Sequence, residues 1–358
     1  MTGSGSSHQE IVIATETTPL VNNGNGGYAT VQSTATSSSS PAHADHAARR
    51  KEVVGLLLMT LSALGFSSMS LFVKLSGASF PSFEIVLARS IVQAVLGLIG
   101  CAIFKVNPLG KPGVRGWLFF RGLVGSLGLA LFFYSITQLP LADATVVFFL
   151  SPAFTAILAA VVLGESFTLF DGLCSVMCLF GVVLVSKPQF LFGGDAKLPN
   201  GQTEAQRLMA IFAALIGAMM SAVAYCTVRK IGKGAHFMVH VVYFGVISTL
   251  ISPIGLLTLQ KFVMPHGWYE YSVLFLVGLM AFAGQCLLNQ GLQLAPAGPG
   301  TLMRMNDVVF AFLFGIFILH EYPDFYSILG AIVIVGMTTA LGLHKWFLHA
   351  GRSAFTRK

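Results

Sequence analysis

Ten stretches of roughly 20 apolar residues, parted by short polar breaks, run along this chain. A helix of that length spans the ~30 Å hydrocarbon core of a bilayer. In lipid every backbone N–H and C=O must find its partner within the segment or against other protein, which leaves helices or closed barrels. The ten-residue alternation of barrel strands is missing. Helical spans are therefore predicted over 53–75, 82–104, 116–138, 142–164, 166–186, 208–230, 236–259, 271–294, 300–320 and 325–347. Only 10% of residues are charged, against about 25% in soluble domains, so the surface is not solvated on all sides. The class is an all-α integral membrane protein with ten transmembrane helices.

Basic residues orient such a bundle, because Lys and Arg collect in cytosolic loops. With the amino terminus cytosolic, 13 of the 21 Lys and Arg fall on that side, including Arg49, Arg50, Lys51, Arg229, Lys230 and Lys233. Five fall opposite and three lie within spans. Both termini are expected in the cytosol. The net charge of +7 then reflects topology and anionic lipid, and nucleic acid is not an expected partner. Residues 1–50 are Ser-, Thr- and Gly-rich and are expected to be a disordered cytosolic tail. Residues 188–207 form a linker loop and 348–358 a basic cytosolic tail.

An offset of 156 maps Lys74 onto Lys230, Gly122 onto Gly278, Gly128 onto Gly284, Pro140 onto Pro296 and Glu165 onto Glu321. Five landmarks in one ungapped register indicate duplication of a five-span unit, 53–187 and 208–347. Five is odd, so the second copy enters the membrane upside down. Inverted repeats give many secondary transporters two oppositely facing states around a midplane site. Pro140 and Pro296 stand where consecutive spans reverse, and a missing N–H is harmless there.

The phrases RGLVGSLG from Arg121, LADATVVFFLSPAFTAI from Leu141, SKPQFLFG from Ser186 and DVVFAFLFG from Asp307 resemble the EamA-type branch of the drug/metabolite transporter superfamily. The subgroup that is most similar is G of solute carrier family 35. The likeness runs from about Val53 to Phe347. It implies two inverted five-helix EamA-type repeats forming a carrier of small metabolites by alternating access, in the plasma membrane or an endomembrane such as the ER or Golgi. One departure is that Pro299 stands where the first copy has Asp143.

Charge is expensive inside a bilayer, at least about 2.5–3.5 kcal/mol per residue at the centre, so intramembrane ions are functional candidates. Arg89, in the second span, is the first candidate for substrate binding. Arg121 and Arg304 are the next, with snorkelling toward headgroups as the competing reading. Asp307, three residues after Arg304, either neutralises it or exchanges a proton during coupling. Glu84 could partner Arg89 or Lys74. Gln285, Asn289, Gln290 and Gln293 make one side of the eighth span polar and, with Tyr134, are expected to line a water-filled substrate cavity. Tyr134 corresponds to Gln290 in the repeat register, and Tyr225 and Tyr243 could add hydroxyls. The competing reading for all of these is hydrogen-bond glue between helices. Asp143 suits a helix N-terminus, and Glu165 and Glu321 suit hinge or packing pins. Ser151-Pro152 and Ser252-Pro253 mark expected kinks.

Other chemistry finds no constellation. Cys174 and Cys178 share a helical face without further ligands, and His236 and His240 are half of a zinc pattern but read better as interfacial. No nucleophile–base spacing, phosphate loop or nucleotide cassette is present. The chain is not expected to be an enzyme, and no cofactor or metal is expected. The expected function is secondary transport of a small organic solute, expected to be anionic because basic residues outnumber acids within spans, with exchange or proton coupling open. Neutral or cationic solutes, nucleotide sugars and a non-transporting scaffold are alternatives. A monomer or homodimer is compatible.

Overall fold

The computed structural model describes residues 41–75, 80–139, 141–188, 191, 204–320 and 324–355. Pro140, Glu321, residues 1–40 and most of the 188–207 linker lie outside the described residues. The described elements are helices: α1 (Pro41–Leu75), α2 (Ser82–Ile103), α3 (Arg115–Gln138), α4 (Leu141–Phe148), α5 (Ser151–Leu163), α6 (Leu169–Ser186), α7 (Glu204–Ile231), α8 (Phe237–Leu259), α9 (Gly267–Leu294), α10 (Ala297–Met303), α11 (Asn306–Phe317) and α12 (Phe325–Phe355). Among the described residues, ten stretches are long and apolar enough to cross a membrane, with α4–α5 and α10–α11 each serving as one. Their large side chains face outward, as Leu169, Trp268, Leu257 and Val161 do. That is the arrangement expected of a bundle solvated by lipid.

The packing has the symmetry of the duplicated sequence. Each helix of the first half corresponds to the one six places later in this numbering. Helix α1 packs on α9 and α3 on α7; α2 packs on α9 and α3 on α8; α1 packs on α11 and α5 on α7. Helices α2 and α8 pack on each other, as do α6 and α12. Each contact thus recurs with the halves exchanged. The glycine landmarks explain how these helices approach. A methyl group at Gly278 would lie 2.5 Å from Val92 Cβ, and one at Gly122 would lie 3.1 Å from the Tyr243 carbonyl oxygen. Gly128 faces Gly217, and Gly284 faces Gly65 and Phe66. Small residues permit the backbone proximity on which packing in lipid depends.

Two spans are broken at symmetric points, the first where Ser151–Pro152 marks an expected kink. In the first half the helix stops after Phe148 and restarts at Ser151. Pro152 has no N–H for the Phe148 carbonyl, and its ring crowds that carbonyl. It therefore falls in the first turn of α5. In the second half the break lies at Arg304–Met305 without a proline. There the Asn306 side-chain amide donates to the Met303 carbonyl at 2.9 Å, while Thr338 of α12 donates to Asn306 Oδ1 at 3.3 Å. Asp307 N–H turns back to the Arg304 carbonyl, tightening the chain by one residue. The kink expected at Ser252–Pro253 takes a milder form, since α8 continues through Pro253.

The amino-terminal boundary also moves. Helix starts at Pro41, within the segment expected to be disordered. PAHADHAARR contains four alanines, the strongest helix formers, behind a proline suited to a first helical position. Away from the end where α1 starts, Lys187 after α6 pairs with Asp324 before α12. The hydrogen bond and charge of Lys187 hold the Asp324 carboxyl below the usual carboxylate range.

Candidate functional site

Two buried arginine centres occupy the interface between the halves. Arg121, 2% exposed, lies in α3 and reaches across to α8 and α9. It donates to the His240 carbonyl at 3.2 Å, to Gln285 Oε1 at 3.2 Å and to Asn289 Oδ1 at 3.0 Å. Its guanidinium also lies over the Phe244 ring, 5.0 Å from the centroid. Snorkelling toward headgroups is thereby corrected: neighbouring amides meet most of its donors inside the bundle. Asn289 is itself fixed, donating to the Gln285 carbonyl at 2.6 Å. The interfacial reading of His240 is also corrected. It is fully buried, and both ring nitrogens lack a partner. His236 does sit at the helix start, where its Nδ1 accepts from Met238 N–H.

Removing the Arg121 guanidinium takes a donor from three acceptors on α8 and α9 and leaves Asn289 Oδ1 without one, while Gln285 Oε1 keeps Asn289 Nδ2 at 3.4 Å. Each unsatisfied buried group costs roughly 1–3 kcal/mol. Arg121→Met is expected to lower stability by about 2–4 kcal/mol, read as a fall in the melting temperature of purified protein. Arg121→Lys should recover only part of it, because one ammonium cannot reproduce the planar fork. Unchanged melting of Arg121→Met would refute this role.

The second centre surrounds Arg304, at the break between α10 and α11. Its Nη1 donates to the Tyr225 hydroxyl of α7 at 2.5 Å, and its guanidinium lies 4.6 Å from the Phe66 ring centroid of α1. Asp307 Oδ2 is 3.9 Å from its Nη2, beyond the 2.7–2.9 Å of a tight charge-assisted hydrogen bond. Arg89 lies in α2, which packs on α8 and α9 of the second half. It is 3% exposed, its Nε has no partner, and no ion pair or hydrogen bond engages it among the described residues. Arg89 lies about 10 Å along α2 from one membrane face, and Arg304 about 10 Å along α10 from the other. The two cations therefore approach the midplane from opposite ends.

The remaining candidates divide by place. Gln285 and Asn289 belong to the Arg121 centre, and Gln290 is partly buried on the same helix. Tyr134 and Gln293, also substrate-binding candidates, have their contacts outside both centres. The Tyr134 hydroxyl contacts Met209 on α7, and Gln293 Nε2 donates to the Ala235 carbonyl at 2.9 Å. Glu84 accepts from Val263 N–H at 3.0 Å and does not pair with Arg89. Asp143 is buried in the first turn of α4. Tyr243 donates to the Leu109 carbonyl.

Glu165 follows the Gly164 cap of α5 and ties the halves together. One carboxylate oxygen is 2.8 Å from Arg229 Nε, and the other accepts from Ala297 N–H at 2.8 Å. Arg229 further donates to the Gln293 carbonyl at 3.3 Å. Pro296 caps the start of α10 beside it. Sequence reasoning counted Arg229 only as a topological charge. It also left Tyr225 as a spare hydroxyl, although a lone Tyr in the small-residue run SAVAYCTV was a signal. Among the described residues no group of His, Cys, Asp and Glu could hold a metal ion.

Ten spans, an internal duplication and unpaired charge at the interface of the halves define a polytopic membrane carrier. The chain matches the EamA-like transporter family twice, over residues 53–187 and 208–341, and belongs to that family of membrane transporters. It is 34% identical to human solute carrier family 35 member G1 over 297 residues, which are 82% of this chain and 80% of that protein. It is 29% identical to the pseudopaline exporter of Pseudomonas aeruginosa over 81% of this chain and 96% of the relative. A solved crystal structure superposes with a TM-score of 0.69 at 19% identity, covering 83% of this chain and 99% of that one. This last likeness concerns the fold alone.

Proposed function

We propose that this transporter is a secondary carrier of a small organic anion, working by alternating access between two inverted halves. The observation that carries the reading is Arg89, a buried guanidinium at the interface of the halves without a counter-charge among the described residues. A fixed cation in a low-dielectric site is costly unless an anion joins it, and the substrate supplies that anion. Arg304 assists from the opposite side. The exporter among the relatives supports solute movement and leaves the solute open. The asymmetry of Lys and Arg supports cytosolic termini.

The test is uptake into vesicles reconstituted with purified protein. Arg89→Ala is expected to reduce uptake of the transported anion at least about 100-fold, the loss of one strong charge-assisted contact, with expression and melting temperature retained. Undiminished uptake by Arg89→Ala would remove Arg89 from the site. Stabilisation of the purified protein by cationic solutes alone would overturn the anion assignment.

A further inference from the structure

Basic side chains from both halves converge at the membrane face where α1 starts. The connection from α2 into α3 presents Lys105, Lys111 and Arg115, and the connection from α7 to α8 presents Lys230 and Lys233, all five exposed. Contacts join the two connections into one surface. The Phe104 ring lies 5.2 Å from the His236 ring, and the Tyr243 hydroxyl donates to the Leu109 carbonyl at 3.1 Å. A methyl group at Gly234 would lie 3.3 Å from Val114 Cγ1, and Lys230 Nζ lies 4.2 Å from the Trp117 ring centroid. Residues 85–142 and 205–269 hold no Asp or Glu. None of the described ion pairs engages the five cations. Glu165, at the same face, is already committed to Arg229 and the Ala297 N–H. Glu52 and Asp171 stand on α1 and α6, which pack mainly on α9 and α12.

Membrane insertion asks only that positive charge lie on this face. It does not require that a lysine rest on an indole, or that cations of the two halves meet. Helix α3 starts at Arg115, so Trp117 stands at headgroup depth, where its amphipathic ring is favoured. Phe120, one turn further along, is exposed like Trp117 and lies edge-on to it at 6.2 Å. From water toward lipid the surface offers ammonium, then indole, then phenyl. A phospholipid offers phosphate, ester region and acyl chain in the same order. Exposed Ile103 and Phe104, at the end of α2, add apolar area for a chain. We infer that this surface binds the headgroup of an anionic phospholipid, shared between Lys230 and Lys233 of the second half and Lys105, Lys111 and Arg115 of the first. The cation–π contact with Trp117 holds one ammonium in place before lipid arrives. Clustered cations beside a span attract anionic lipid by about fivefold in affinity each. A headgroup bound here ties the two halves together at this face, whichever solute the carrier moves.

The experiment titrates the full chain, purified in an uncharged detergent, with dioctanoyl phosphatidylserine, dioctanoyl phosphatidylcholine or inorganic phosphate, and reads the melting temperature. Phosphatidylserine is expected to raise it saturably, with a weaker effect at high salt; the other two should not. Lys230→Gln with Lys233→Gln, and separately Lys105→Gln with Lys111→Gln, should each raise the half-saturating concentration about 25-fold. Trp117→Leu keeps every charge and should raise it about fivefold. It also keeps the test decisive where a lysine pair proves unstable. Arg207→Gln with Lys261→Gln, on the opposite face, should leave it unchanged. Equal stabilisation by phosphatidylcholine would reduce the effect to lipid in general, and equal stabilisation by phosphate would assign the surface to a soluble anion. An equal loss in the opposite-face pair would reduce it to diffuse attraction. Loss in only one of the two lysine pairs would refute sharing between the halves, and unchanged affinity in Trp117→Leu would refute the lysine–indole seat. Each of these results overturns the inference.

Discussion

Gly278→Leu is expected to abolish recovery of folded, monodisperse protein, whereas Gly116→Leu should behave as wild type. At Gly278 the first carbon of any side chain would sit 2.5 Å from Val92 Cβ and 2.7 Å from its Cγ1. Both are carbons near the backbone of a packed helix, not the end of a flexible chain. Either α9 must retreat from α2 or Val92 must change backbone position. Even Gly278→Ala should cost about 1–3 kcal/mol by overpacking. Leucine adds three more carbons at a crossing between halves whose cohesion depends on close packing. At Gly116 nothing lies within 4 Å of the added carbon. Val92→Gly in the Gly278→Ala background should restore part of the lost melting temperature, which ties the damage to this contact. Normal yield and melting of Gly278→Leu, measured by size-exclusion chromatography and thermal unfolding in detergent, would show that the crossing is looser than described.

The same position shows what the sequence made legible. Gly122 and Gly278 match across the duplication because both solve one geometric problem, bringing α3 onto α8 and α9 onto α2. Span lengths were legible because lipid thickness sets them. The charged site was harder to place because it departs from the duplication. In the register of 156, Arg89 corresponds to Gly245, Arg121 to Val277, Arg304 to Phe148 and Asp307 to Ser151. The scaffold lies in what the halves share, and the charges lie in what they do not. Whether Arg121 snorkels depends on acceptors that α8 and α9 bring from more than a hundred positions away. Likewise, the break after Met303 depends on Asn306 and on Thr338 of another helix, and local propensity contains neither partner. Pro152, by contrast, announced the equivalent break through its own chemistry.

Glu165→Ala is expected to open the end of the bundle where α1 starts, seen as roughly 5- to 150-fold faster labelling of Cys226 by a membrane-impermeant maleimide. Glu165 comes from the first half, whereas its partners Arg229 and Ala297 belong to the second. One carboxylate thus answers a guanidinium and an orphan N–H at the start of α10. Both would be left without that acceptor in the alanine variant. Breaking a fully buried ion pair costs about 3–5 kcal/mol. Here the side chains are 27% and 16% exposed, so screening reduces the loss to about 1–3 kcal/mol. If the latch forms only while this end is closed, the loss falls on the closed state and shifts the population by roughly 5- to 150-fold. Cys226 is a native reporter: it lies three residues before Arg229 and is 4% exposed, with its thiol toward the Thr155 carbonyl. Cys174, fully buried in α6, should remain protected in the same sample and thereby excludes general unfolding. Arg229→Ala should accelerate Cys226 labelling similarly, and the double variant should add little, since each substitution removes the same contact. Equal labelling rates in wild type and Glu165→Ala would mean that other contacts hold this end shut. The first to suspect would be the approach of Gly55 to Ala295 and Gly291, where α1 and α9 meet with no room for a side chain.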